Sequence, residues 1–200
     1  MDDVSSYSEK VNTKWRAVVA FACFCTAPGM ASVVKFDLPD DGGKNRSLRE
    51  LAGSRGTVLL FLGVDCPISN RYAPLLERMR STYEGRGVRF VAVFSGPGLD
   101  GPAVRHHLDE YSLHLPALLD RNASLAAQTG AKVTPEAVLL GVDGQVVYRG
   151  RIDDQYVAWG KTRLQPTVQD LRDALDQTLA GQPIAHPVTK ALGCSIMTPY

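Results

Sequence analysis

Two kinds of apolar pattern alternate along the chain. Thr57 to Gly63 (TVLLFLG) and Gly87 to Ser95 (GVRFVAVFS) are near-continuous apolar runs of strand length, as expected of strands buried on both faces. Between them Ile68, Tyr72, Leu75, Leu76, Met79 and Tyr83 recur at helical spacing. Pro67 suits the first position of that helix, and Pro74 within it predicts a kink. Strand, helix and strand make a parallel pair with a right-handed crossover. Upstream, Asp40-Asp41-Gly42-Gly43 signals a turn, and Ser47 is placed to cap a short helix through Leu51, with Glu50 at the capping-box position.

Downstream, Gly96 to Pro102 reads as a loop and Ala103 to Tyr111 as a helix. Leu115 to Asp120 is a short strand, and NASLAAQTG is a short helix stopped by Gly130. Thr134 to Gly150 predicts a hairpin turning at Asp143-Gly144. After a long connection from Arg151, Thr167 is expected to cap a last helix with Val168, Leu171, Leu175 and Leu179 on one face, ended by Gly181. The tail, 182–200, is punctuated by proline and has no clear period. The order predicts an α/β fold: a central mixed β-sheet flanked by helices.

The 200 residues are 44% apolar and 22% charged, with a formal net charge of +1, which fits a globular chain and argues against a nucleic-acid partner. Lys10, Lys14 and Arg16 precede an apolar run, Ala17 to Ala27, and Gly29-Met30-Ala31 offers small residues for cleavage. Residues 1–31 therefore read as a signal peptide or anchor, which places the protein in an exported, periplasmic setting. The alternatives are a membrane anchor, including lipid attachment at Cys23, or an amphipathic or disordered extension on a cytoplasmic protein. Residues 32–181 form the folded domain. With Cys23 and Cys25 inside the leader, a mature chain keeps only Cys66 and Cys194, and an oxidising compartment permits their disulfide.

Cys66 lies where the apolar strand stops and the helix begins. Unpaired amides and the helix dipole there favour thiolate, the nucleophile toward disulfides and peroxides. The competing reading is an inert buried cysteine. Asp65 beside it opposes ionisation unless it turns to solvent or pairs with Arg71. Thr134-Pro135 starts a strand after a short loop, a place where a proline can be cis.

The sequence of Cys-bearing turn, kinked helix, strand, Val133-Thr134-Pro135, hairpin and helix resembles the thioredoxin fold. It is most similar to the alkyl hydroperoxide reductase/thiol-specific antioxidant (redoxin) branch, over about Val34 to Leu179. The resemblance implies a cis Pro135 beside the active cysteine, with Thr134, Pro135 and Glu136 bordering the substrate pocket together with Ser69. A subgroup of bacterial redoxin-domain proteins shares CPISN at Cys66 to Asn70, YRGRIDD at Tyr148 to Asp154 and a TK…GC tail ending at Cys194. Ser69 stands where thioredoxins carry a second cysteine, and Asp65 where they usually have tryptophan. Gly63 stands where peroxiredoxins place a peroxide-binding threonine.

The resemblance implies an antioxidant or oxidoreductase activity without a cofactor: thiol–disulfide exchange, or thiol-dependent peroxide reduction. Its partners are a thiol or disulfide protein or small thiol reductant, with a peroxide or a protein disulfide as substrate. Cys194 is the candidate resolving thiol, delivered by a mobile tail; a free tail cysteine and an intermolecular disulfide are the alternatives. The non-enzymatic alternative is a metal-carrying or partner-binding module. His106, His107, His114 and His186 offer metal ligands, but adjacent histidines on a helix diverge, and no metal site is assigned. Arg149, Arg151, Asp153 and Asp154 read as a surface ion-pair network, and Tyr156 and Trp159 as packing under the long connection.

Overall fold

A computed structural model describes residues 33–198. In chain order the elements are β1 (Asp37–Pro39), β2 (Asn45–Ser47), α1 (Leu48–Leu51), β3 (Gly56–Leu62), α2 (Pro67–Glu84), β4 (Val88–Ser95), α3 (Gly101–Glu110) and β5 (Ala117–Asp120). There follow α4 (Ser124–Thr129), β6 (Val133–Thr134), β7 (Glu136–Leu140), β8 (Val146–Gly150), β9 (Tyr156–Ala158), β10 (Lys161–Thr162), α5 (Asp170–Leu179) and β11 (Cys194–Ser195). The main sheet has the order β5-β4-β3-β7-β8. Its β3, β4 and β5 are parallel, and β7 and β8 are antiparallel to their neighbours. The mixed sheet expected from the hydrophobic pattern is the one observed.

β3 explains why an unbroken apolar run was needed. Val58, Leu60 and Leu62 face one core with Tyr72, Leu76 and Met79 of α2 and Leu171 and Leu175 of α5. Leu59 and Phe61 face a second core with Val34, Phe36, Leu51 and Leu125. A central strand covered on both faces has no place for a polar residue to reach water. This strand ends at the turn that carries Cys66.

Several expectations need correction. Ser47 occupies the N-cap of α1 but makes no side-chain capping bond. Thr167 does not cap α5, which begins at Asp170 behind Gln169. Its amide and hydroxyl instead donate to Asp154 at 2.6 and 2.5 Å, and the Val168 amide donates to the same carboxylate at 3.0 Å. Val168 is exposed as a result, so it is not part of the buried face of α5. Asp153 and Asp154 are buried, not members of a surface network. Asp153 accepts hydrogen bonds from the Tyr72 hydroxyl and the Gln155 amide, and Arg151 pairs with the buried Asp170 at 2.7 Å. These carboxylates strap the long connection onto α2 and α5, a task that charge composition alone does not reveal. The hairpin of β9 and β10 within that connection, and β11 in the tail, carry too few residues for a period to show.

The leader assigned to residues 1–31 lies outside the described residues. Among the described residues no helix is long and apolar enough to cross a membrane.

Glu77 ties α2 to the following loop. It accepts from Arg80 at 2.6 Å and from the His114 amide at 3.0 Å. The Arg80 hydrogen bonds, outweighing burial, pull its carboxyl down to about 2 from 4.5. A carboxylate depressed in the folded state stabilises fully above its unfolded value, and that stability is lost as pH falls through its folded value. The wild type is therefore expected to exceed Glu77→Gln in urea midpoint at neutral pH. The gap is expected to close as pH falls from 4.5 toward 2, as urea titrations across that window would read.

Candidate active site

β3 delivers the chain to α2 through a tight turn in which the Cys66 amide donates to the Gly63 carbonyl at 3.2 Å. Cys66 is the N-cap of α2, and Pro67 follows in the first turn. Proline costs the helix nothing there, since the first amides have no intrahelical partner. Cys66 is 2% exposed, and its thiol donates to the Thr134 carbonyl at 3.0 Å. The Thr134–Pro135 peptide bond is cis.

The other expected site residues surround this contact in different roles. Ser69, buried one turn into α2, accepts from the Gly63 amide at 3.3 Å through its hydroxyl. Its hydroxyl proton is thus left for another acceptor. Glu136 is buried as well, and its carboxylate accepts the amides of Lys132 at 2.7 Å and Val133 at 3.3 Å. It braces the turn that presents Thr134 and Pro135. Asp65 turns outward and is exposed.

Cys194 does not sit on a loose arm. β11 pairs antiparallel with β6, Cys194 opposite Thr134 and Ser195 opposite Val133. The Ile196 amide extends the pairing to the Lys132 carbonyl at 2.9 Å. Both thiols are free. They are close enough for the Cys194 thiol to hydrogen-bond the Cys66 sulfur, and this splits their acidities. Burial pushes the Cys66 thiol up. Hydrogen bonds from Cys194, from the amide and hydroxyl of Ser69 and from Thr134 outweigh it and bring the thiol down to about 7 from 9.0. Burial and the adjoining Cys66 sulfur raise Cys194 to about 11. One sulfur is thus poised as thiolate near neutral pH while its neighbour holds the proton.

Two glycines make this arrangement fit. A Cβ at Gly63 would lie 2.9 Å from the Thr134 hydroxyl and 3.0 Å from the Cys66 Cβ, so the threonine of peroxiredoxins has no room at this position. A Cβ at Gly193 would lie 2.1 Å from the Thr134 carbonyl oxygen, closer than any real contact. Sequence reasoning missed Gly193; its only trace was the Gly-Cys pair in the tail.

Two cavities flank the tail. One, about 330 Å³, is walled by Gly63, Asp65, Cys66, Thr134, Cys194 and Met197. The other, about 270 Å³, lies between the start of α2 and the β9–β10 hairpin, with Ile68, Tyr156, Trp159, Leu192 and Cys194 on its walls. Tyr156 packs on Tyr72 as expected, ring centroids 5.5 Å apart. Trp159 does not pack as expected: it is 68% exposed and forms a rim of the second cavity.

Two of the four histidines, His107 and His114, are engaged elsewhere. His107 is buried against Phe94 and Tyr111, and burial lowers its pKa. His114 lies 3.3 Å from Glu77. Among the described residues no three His, Cys, Asp or Glu side chains gather as a metal site.

A strand-to-helix thiol facing the residue before a cis-proline, on a mixed sheet of this order, defines a thioredoxin-fold protein. Residues 12–158 match the Redoxin family model, and the chain belongs to that family. It is 32% identical over 127 residues to the thiol-disulfide oxidoreductase ResA of Halalkalibacterium halodurans, across 62% of this chain and 70% of the relative. A hypothetical protein of Sinorhizobium meliloti 1021 superposes with a TM-score of 0.75 at 27% identity, covering 86% of this chain and 96% of that one. A secreted disulfide oxidoreductase of Mycobacterium tuberculosis shares the fold at a TM-score of 0.51 and 22% identity, covering 74% of this chain and 96% of that one.

The pairing of the thiols gives a titration test. The pH profile of Cys66 alkylation by iodoacetamide is expected to have its midpoint near 7. Cys194→Ala removes a donor to the charged sulfur, worth about 1.5 kcal/mol, so the midpoint should move about one pH unit higher. An unmoved midpoint would show that Cys194 does not support the thiolate.

Proposed function

We propose that the protein catalyses thiol–disulfide exchange on polypeptide substrates, with Cys66 as nucleophile and Cys194 as the resolving thiol. The observation that carries this reading is the juxtaposition of two free thiols of opposite acidity beside the Thr134 backbone. The 32% identity to a protein named as a thiol-disulfide oxidoreductase supports it.

In the reductive direction the Cys66 thiolate attacks one sulfur of a substrate disulfide. A Cys66–substrate disulfide forms, and the second substrate sulfur leaves as a thiolate that takes a proton from water. The Cys194 thiol then gives up its proton and attacks the Cys66 sulfur. This releases the first substrate sulfur and leaves a Cys66–Cys194 disulfide. Two electrons have passed to the substrate, and an external dithiol protein or small thiol restores the pair. The same steps in reverse oxidise a substrate dithiol. The high pKa of Cys194 keeps it a poor nucleophile while Cys66 is reduced. Once the Cys66 sulfur is bound in a mixed disulfide, the negative charge that raised Cys194 is gone, and its acidity rises when needed.

Thr134 and Pro135 border the substrate, Glu136 braces their turn, and Ser69 supports the thiolate. Thiol-dependent peroxide reduction is the second reading of a lone Cys66 thiolate, and Gly63 weighs against it, since no threonine can stand there to hold peroxide. The leader-like residues 1–31 support an exported, periplasmic site of action, where protein disulfides are abundant.

Cys66→Ser is expected to abolish reduction of a protein disulfide such as insulin. Cys194→Ser should form the Cys66 mixed disulfide but turn over at least tenfold more slowly. Mass mapping of the oxidised wild type under non-reducing conditions should yield a Cys66–Cys194 linked peptide; without that peptide the resolving role fails. Faster turnover of hydrogen peroxide than of disulfide, with the same thiol donor, would favour the second reading.

A further inference from the structure

The polar edge of β6 is occupied by the chain's own tail. β11 contributes only two paired residues, with the Ile196 amide as a further tie. A ladder this short is held by a few hydrogen bonds, each worth about 1 kcal/mol net, and can be exchanged for another strand. What holds the tail securely lies upstream. Val188 bridges Arg149 in parallel, the Thr189 amide donates to the Arg149 carbonyl at 3.0 Å, and the Thr189 hydroxyl meets the Tyr148 hydroxyl at 2.8 Å. The tail is therefore anchored at Thr189 and more lightly tied where it covers Cys66, by this short ladder and by the half-buried Cys194 and Ile196 against the two cores. Cys194 belongs to the walls of both flanking cavities, so this light tie is also the partition between them.

The occupant of the edge is itself a cysteine-bearing strand, with its sulfur against Cys66. We propose that Gly193 to Ile196 is an internal stand-in for the polypeptide on which Cys66 acts, holding the β6 edge in its place. The substrate class is an extended segment with glycine immediately before its cysteine. It displaces β11, pairs antiparallel with Val133 and Thr134, and sets its sulfur where Cys194 now lies. The glycine requirement comes from the register: any side chain at the residue before the cysteine would meet the Thr134 carbonyl, as a Cβ at Gly193 would at 2.1 Å. The tail thus competes with substrate for the edge, and it returns to the edge to resolve the mixed disulfide as the substrate strand peels away. This inference rests on the thiol–disulfide reading above.

The test is single-turnover release of thionitrobenzoate from peptides in which it caps the cysteine. The peptides are Leu-Gly-Cys-Ser-Ile and Leu-Ala-Cys-Ser-Ile, and the small disulfide dithiobis(nitrobenzoate) serves as a control. Three proteins are compared: Cys194→Ser, a chain ending at Lys190, and the double variant Gly193→Ala with Cys194→Ser. The double variant lifts the strand by the clash at Thr134 without removing any of the chain. The shortened chain and the double variant are each expected to react with the glycine peptide at least tenfold faster than Cys194→Ser. The shortened chain is expected to prefer the glycine peptide over the alanine peptide at least tenfold. Equal rates in all three proteins, or no preference between the peptides, overturns the inference while normal reaction with the small disulfide leaves the redox reading standing. Failure of Cys66 to react even with the small disulfide in every protein overturns both.

Discussion

The Thr134 carbonyl is the point on which the site turns. It receives the Cys66 thiol, it belongs to the cis peptide bond to Pro135, and it presses so close to Gly193 that no side chain fits between. A carbonyl can serve the sulfur in this way only if its direction is held. Glu136 holds it from one side by taking the two amides of Lys132 and Val133, and β7 continues from the same residue into the centre of the sheet. The buried carboxylate is costly unless its oxygens are satisfied. Here that need is met by backbone amides, and the backbone is positioned in return.

The acidity of the two thiols follows from the same crowding. Taken alone, burial would push both sulfurs toward the protonated form. Cys66 escapes because Cys194, Ser69 and the Thr134 hydroxyl can all donate hydrogen bonds to its sulfur, while Cys194 is left facing the resulting charge. A single proton shared between unequal partners separates an ionisable sulfur from a protonated one. No charged side chain is needed for this, which explains how an exposed Asp65 can stand next to Cys66.

The architecture was legible because its central elements obey one rule each. β3 and β4 are covered on both faces and so are apolar throughout, and α2 buries one stripe, so its residues recur at helical spacing. The position of Cys66 followed from where those two patterns meet. What stayed hidden depends on pairing between distant segments. Asp153 and Asp154 look like surface charges until Tyr72 and Thr167 are brought to them. A strand of two residues, such as β11, has no periodicity to detect, and Trp159 in a short hairpin gives no sign of whether it points to core or solvent. Gly193 shows the limit most clearly: a glycine demanded by contact with a residue 59 positions earlier cannot be told from one demanded by a turn.

The hydroxyl contact between Tyr148 and Thr189 has a consequence of its own. It fixes the pivot of the tail to the rigid edge strand β8, so the arm that carries Cys194 is short. At about 3.5 Å per extended residue, the sulfur is confined to a sphere of roughly 17 Å radius about that pivot. Within such a volume the local concentration of this thiol is in the millimolar range, above that of most soluble competitors. The geometry therefore keeps Cys194 beside the Cys66 of its own chain, and a leash of this length disfavours exchange of tails between neighbouring molecules.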